Sequence, residues 1–128
     1  MCIPNISDAE LEVMKLIWDD NPITSETIIK ELSEKMTWSS GTIRTFINRL
    51  LKKEVIGYKR SGRTFFYYPI LTKETYIKAE NRTFLQRMYN GAVDRLFYHF
   101  IEDENLTEEE LDKLQQLLIE RKEKNDRE

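Results

Sequence analysis

The chain has 128 residues, of which 40% are hydrophobic and 34% charged, and a net charge of −3. That balance suits one compact domain, or a small domain with an oligomerisation extension, and excludes wholesale disorder. No run approaches the roughly 18 apolar residues of a membrane span, and the opening MCIPNISDAE lacks the basic and apolar regions of a secretory signal, so a cytoplasmic protein is expected.

Ser7-Asp8-Ala9-Glu10 has the spacing of a capping box, and Leu11, Met14, Ile17 and Trp18 follow at helical intervals. Asn21-Pro22 closes this first helix, because the residue before proline disfavours helical geometry. Thr24 or Ser25 caps a second helix with Ile28, Ile29, Leu32 and Met36 on its apolar side. Trp38-Ser39-Ser40-Gly41 is a short turn, and a third helix runs from it to about Glu54. The period then changes to two. Val55 to Lys59 and Thr64 to Tyr68 are rich in β-branched and aromatic residues, and Arg60-Ser61-Gly62-Arg63 between them contains a hairpin glycine. Tyr58, Phe65, Phe66, Tyr67 and Tyr68 are expected in the core of that hairpin.

Thr72-Lys73-Glu74 opens a fourth helix, with Tyr76, Ile77, Phe84, Leu85, Met88 and Tyr89 expected to be buried. Asn90-Gly91 stops it. A fifth helix spans Ala92 to Ile101. Thr107 and Glu110 form a second capping box ahead of a sixth helix striped with Leu111, Leu114, Leu117 and Leu118. The predicted fold is mainly α with a small β-hairpin (α+β): a winged helix-turn-helix head over residues 1–71, a helical dimerisation region over 72–122, and a disordered tail over 123–128.

The charge is unevenly placed. Thr37 to Tyr68 holds Arg44, Arg49, Lys52, Lys53, Lys59, Arg60 and Arg63 against the single acid Glu54, a net of +6, whereas Glu102 to Asp112 holds seven acids and no base. Local fields, and not net charge, govern contact with phosphate. At 100° per residue Ile43, Phe46, Ile47, Leu50 and Leu51 share one arc of the third helix. Gly41, Thr45, Asn48 and Lys52 lie opposite, flanked by Thr42, Arg44 and Arg49. Such a helix anchors one side in a core and offers donors, without any acid, to the major groove. The candidate DNA-binding residues are therefore Ser39, Ser40, Gly41, Thr42, Arg44, Thr45, Asn48, Arg49 and Lys52, with Lys59, Arg60, Ser61 and Arg63 at the hairpin tip to grip phosphates beside the groove.

Catalysis has little to stand on. Cys2 is the only cysteine and His99 the only histidine, so an intramolecular disulfide is excluded and a single-chain Cys/His zinc site lacks ligands. With four glycines there is little room for a phosphate-binding loop. Neither an enzyme nor a cofactor or metal is expected. The competing class is a winged-helix module that binds protein instead of DNA, against which the basic helix face argues.

These residues resemble the penicillinase repressor family of bacteria (the BlaI/MecI group, with the copper repressor CopY as a relative). Ile6 to Trp18 resembles its opening helix; Ser39 to Thr45 with Asn48-Arg49-Leu50, its recognition helix; Phe66-Tyr67-Tyr68, its wing strand; and Thr83-Phe84-Leu85, its fourth helix. The similarity covers roughly residues 6–119. It implies a homodimer on a pseudo-palindromic double-stranded operator, repression of β-lactamase or penicillin-resistance genes, and induction by a protease that cuts the dimerisation region. By position the family's Asn-Phe cleavage bond falls on His99-Phe100, with His in place of Asn. Gly41 stands where staphylococcal members have a lysine. A regulon such as copper homeostasis is the alternative within the family, but the copper branch carries paired C-terminal cysteines and this chain ends RKEKNDRE. The last three helices add an argument of their own. Phe84, Leu85, Met88, Leu96, Phe97, Phe100, Leu111, Leu114, Leu117 and Leu118 would leave a large apolar surface on a monomer, and are expected to dimerise.

Overall fold

Ser7 starts the chain's first helix by satisfying orphan amides. Its Oγ accepts from the Glu10 amide at 3.1 Å, and its own amide donates to Glu10 Oε1 at 2.8 Å. In the computed structural model, which describes residues 3–127, α1 spans Asp8–Asp19 and buries Glu10, Val13, Met14 and Ile17. β1 (Ile23–Thr24) follows, then α2 (Ser25–Met36), α3 (Ser40–Lys52), β2 (Ile56–Ser61) and β3 (Thr64–Pro69). Cys2 lies outside the described residues.

The three strands form one antiparallel sheet in the order β1-β3-β2. The expected hairpin is present, with Tyr58 opposite Tyr67 and Ser61 opposite Thr64. β1 pairs Ile23 with Tyr67 and Thr24 with Phe66. Two residues are too few to show an alternating pattern, so this strand escaped the sequence reading. Gly62, first of the two loop residues, has φ +63°, which glycine adopts at no steric cost. Gly57 admits the Tyr68 ring across the ladder, where a Cβ would meet it at 2.6 Å.

Three helices close on this sheet. Val13, Met14, Ile17, Ile28, Leu32, Ile43, Ile47, Leu50, Val55 and Ile56 make the buried core, and Phe46 and Leu51 pack against it half-buried. The arc deduced for the third helix is therefore its buried side. Tyr67 joins the core as expected, but Tyr58 does not: it is 51% exposed and meets the Phe65 ring at 5.2 Å on the outer part of the hairpin.

α4 spans Lys73–Tyr89, α5 Val93–Ile101 and α6 Glu108–Arg127. The chain divides into two compact units inside α4, after Ala79. The first turns of α4 belong to the head, where Tyr76 is buried against Trp18 with ring centroids 5.5 Å apart, and Trp18 Nε1 donates to the Leu71 carbonyl at 2.9 Å. Of the other α4 residues expected inside, Leu85 and Tyr89 are half-buried while Ile77, Phe84 and Met88 are exposed. α6 continues through the charged tail to Arg127, so the segment expected to be disordered is helical as far as it is described. Good helix formers and mixed charge at helical spacing suffice there.

Candidate nucleic-acid interface

The outward side of α3 is built from its cap upward. Ser39 is the N-cap: its Oγ accepts from the Thr42 amide at 3.1 Å and donates to Thr42 Oγ1 at 2.9 Å. The capped end exposes Ser40, Gly41 and Thr42, and the following turns expose Arg44, Thr45, Asn48, Arg49 and Lys52. All the candidates from Ser39 to Lys52 thus lie on the solvent side, and none of them is acidic. Two have local commitments. Thr45 Oγ1 donates to the Gly41 carbonyl at 3.0 Å, and the Arg49 guanidinium rests 6.0 Å from the Phe46 ring. Arg44 and Asn48 are left with their full donor sets facing outward.

The hairpin tip carries Lys59, Arg60, Ser61 and Arg63, all exposed. Arg60 is held in place by two contacts: its Nε donates to the Gly62 carbonyl at 2.8 Å, and its guanidinium lies 5.7 Å from the Phe65 ring. Pinning a long side chain lowers the entropy lost when it meets a phosphate.

Lys53 behaves differently from the cations around it. Its Nζ donates to Glu10 Oε1 at 2.6 Å and to the Asn5 carbonyl at 2.7 Å. It follows α3 as the C-cap residue and ties that helix to the start of α1. The Glu10 side chain is 2% exposed. Burial by itself raises the Glu10 pKa, but hydrogen bonds from Lys53 and Ser7, with the Lys53 charge, outweigh it and hold the carboxyl below its ordinary range. Lys53 is thereby withdrawn from the basic field counted along the sequence.

Where α3 meets the start of α2 and the middle of β3, Ser25, Arg44, Ile47, Asn48 and Tyr67 line a small cleft of about 80 Å³. Burial raises the Tyr67 pKa; Arg44 opposes that, while Glu26 and Tyr58 add to it. The phenol therefore stays protonated at neutral pH. Sequence reasoning placed Tyr67 in the core and gave Ser25 only a capping role. The available signal was a hydroxyl on a strand position that a phenylalanine would otherwise fill.

The residues proposed for dimerisation lie in the second unit. Phe84, Phe97 and Phe100 are 41–51% exposed, Leu117 and Leu118 about three-fifths exposed, Met88 59% and Leu111 36%; Leu85, Leu96 and Leu114 are half-buried. α5 and α6 bury no described residue. Phe97, Ile101, Leu111, Leu114, Leu117 and Leu118 line an apolar groove of about 390 Å³. His99-Phe100 falls in the last turn of α5, with the His99 ring 5.7 Å from that of Tyr89. Among the described residues no His, Cys, Asp or Glu side chains cluster as a metal site, and no helix is long and apolar enough to cross a membrane.

Three helices, a three-stranded sheet with a charged hairpin and an acid-free outer helix face define a winged-helix protein of the DNA-reading class. Residues 6–120 match the family model described as penicillinase repressor. The penicillinase repressor of Bacillus licheniformis is 44% identical over 94% of each chain. The methicillin resistance regulatory protein MecI of Mammaliicoccus sciuri is 34% identical over 88% of this chain and 92% of its own. Among solved structures, the DNA-binding domain of the repressor BlaI is 48% identical over 59% of this chain and 92% of its own, with a TM-score of 0.54. The Bacillus licheniformis BlaI monomer in complex with the blaP half-operator matches with the same identity and coverage at a TM-score of 0.53. The chain belongs to the penicillinase repressor family, whose members are DNA-binding transcriptional repressors and not enzymes.

Proposed function

We propose that the chain is a cytoplasmic homodimeric repressor that seats two winged-helix heads on a pseudo-palindromic operator of β-lactamase or penicillin-resistance-type genes. The observation that carries this reading is the outer face of α3, on which Arg44, Asn48, Arg49 and Lys52 stand exposed with no acid among them. A solvated helix face ordinarily mixes both signs. The names of the Bacillus licheniformis and staphylococcal relatives support the class of regulated gene.

The heads are joined through the exposed apolar residues of α4, α5 and α6. One half-site offers few contacts, and linking two heads raises affinity by roughly 10²–10⁴ through effective concentration. Cleavage at His99-Phe100 separates α6 from the rest of the chain and releases the operator with the reading surface intact. That bond lies in a helix, so local opening precedes the cut.

Capture of sheared DNA from the host by the purified full chain tests the proposal. The expected outcome is enrichment of one or a few inverted-repeat sites upstream of a cell-wall-antibiotic resistance gene. Enrichment that follows DNA length alone, with no shared repeat, contradicts it.

A further inference from the structure

The cleft lined by Ser25, Arg44, Ile47, Asn48 and Tyr67 holds two hydroxyls that the fold leaves unused. Ser25 and Tyr67 are each 8% exposed, and neither hydroxyl has a hydrogen-bond partner among the described residues. Neither is sealed in, because among the described residues the only fully buried side-chain oxygen or nitrogen without a partner is Glu10 Oε2. The hydroxyl is the one polar group on each side chain, and both residues line the cleft. Two hydroxyls that no group of the fold uses, in one cleft open to solvent, are donors available to an incoming acceptor.

The surroundings specify the acceptor. No acid lines the cleft, and Arg44 brings a fixed positive charge to it. Ser25 is the first residue of α2, so the positive end of that helix dipole adds to the field. A volume of about 80 Å³ matches two or three waters at about 30 Å³ each, which accommodates a phosphoryl group but not a nucleobase.

We propose that this cleft is a socket for one backbone phosphate of the bound DNA, with the Ser25 and Tyr67 hydroxyls donating to its oxygens and Arg44 neutralising its charge. The proposal rests on the DNA-binding reading and adds to it a site on α2 and β3, away from the helix face and the hairpin tip. Because Arg44 and Asn48 line the same cleft, a phosphate seated there fixes how deeply α3 enters the groove. The socket therefore acts on register as well as on affinity.

The test uses the full chain and a labelled duplex carrying the blaP half-operator, made with one neutral methylphosphonate at each backbone position in turn. In the unmodified duplex, Tyr67→Phe weakens binding about tenfold, the range of a hydrogen bond to a charged acceptor. The slope of affinity against salt stays unchanged, because no cation is lost. Ser25→Ala gives a similar loss, and both variants melt as the wild type does. One methylphosphonate position costs the wild type more than tenfold and costs Tyr67→Phe distinctly less, because only the Ser25 and Arg44 interactions remain to be lost. Wild-type affinity in both variants, or the same methylphosphonate profile in variant and wild type, overturns the socket and leaves DNA binding standing. Failure of the wild type to bind any duplex at low salt overturns the DNA-binding reading itself, and the socket with it.

Discussion

Lys53 and Glu10, 43 residues apart in sequence, meet at 2.6 Å and join the end of α3 to α1. Oε1 of Glu10 accepts from both Lys53 and the Ser7 amide, while Oε2 is buried without a partner. Removing the cation leaves a buried carboxylate uncompensated. Lys53→Met is expected to destabilise the protein by about 2–3 kcal/mol, below the 3–5 typical of a fully buried pair because the Lys53 side chain is 31% exposed. Urea unfolding measures it.

The same pair gives a pH signature. The folded Glu10 pKa lies below its ordinary value, so its contribution is complete above about pH 4.3 and is lost as pH falls through the folded value. In Lys53→Met, burial dominates and raises the Glu10 pKa, so acid relieves the variant. The stability gap between wild type and variant should shrink from pH 7 to pH 4. A gap that widens in acid contradicts the assignment.

Gly62 takes a left-handed φ of +63° at the hairpin tip, and its carbonyl anchors Arg60 at 2.8 Å. A Cβ there meets no neighbouring atom, so the cost of Gly62→Ala is one of backbone conformation alone. It is expected to be about 1 kcal/mol. DNA affinity should fall by a few-fold as the tip charges lose their setting, with Asn48-dependent base preference unchanged. Chemical denaturation and binding titrations on one sample read both effects.

Leu117 is 61% exposed in the single chain and borders the apolar groove of the second unit. Leu117→Glu places a charge in the proposed dimer interface. Sedimentation should show a dimer for the wild type at micromolar concentration and a monomer for the variant. Operator affinity should drop by roughly 10²–10⁴. A chain ending at His99 should behave in the same way. If it holds the operator as tightly as the full protein, cleavage at that bond is not the switch.

Local rules carried much of the architecture. The Ser7/Glu10 and Thr107/Glu110 capping boxes form as their spacing implies, because they depend on residues three apart. The phase of Ile43, Ile47 and Leu50 placed the buried side of α3, and hence its outer face. What was missed depends on contacts distant in sequence. β1 exists by pairing with a strand about 43 residues later. Lys53 looked like one more cation until the fold set it beside Glu10. The Ser25–Tyr67 cleft needs three elements brought together, and no single segment announces it. Exposure of Ile77 was equally illegible, since an apolar residue at helical spacing carries no mark of whether its own chain covers it.

The central claim is that the outer face of α3 reads DNA. The most direct measurement is the affinity of the full chain for an operator duplex and for a scrambled duplex across 50–200 mM salt, with Lys52→Ala, Arg44→Ala and Asn48→Ala alongside the wild type. The account predicts a steep fall with salt, of about 10³ or more if the two heads together neutralise at least six phosphates. It predicts that Lys52→Ala weakens both duplexes alike and lowers the slope by about 2, one per head, that Asn48→Ala narrows the gap between operator and scrambled DNA by about 1–3 kcal/mol, and that Arg44→Ala, which also removes the charge of the proposed socket, does both. An affinity that does not change with salt, or a preference for operator that survives loss of both Arg44 and Asn48, would contradict it.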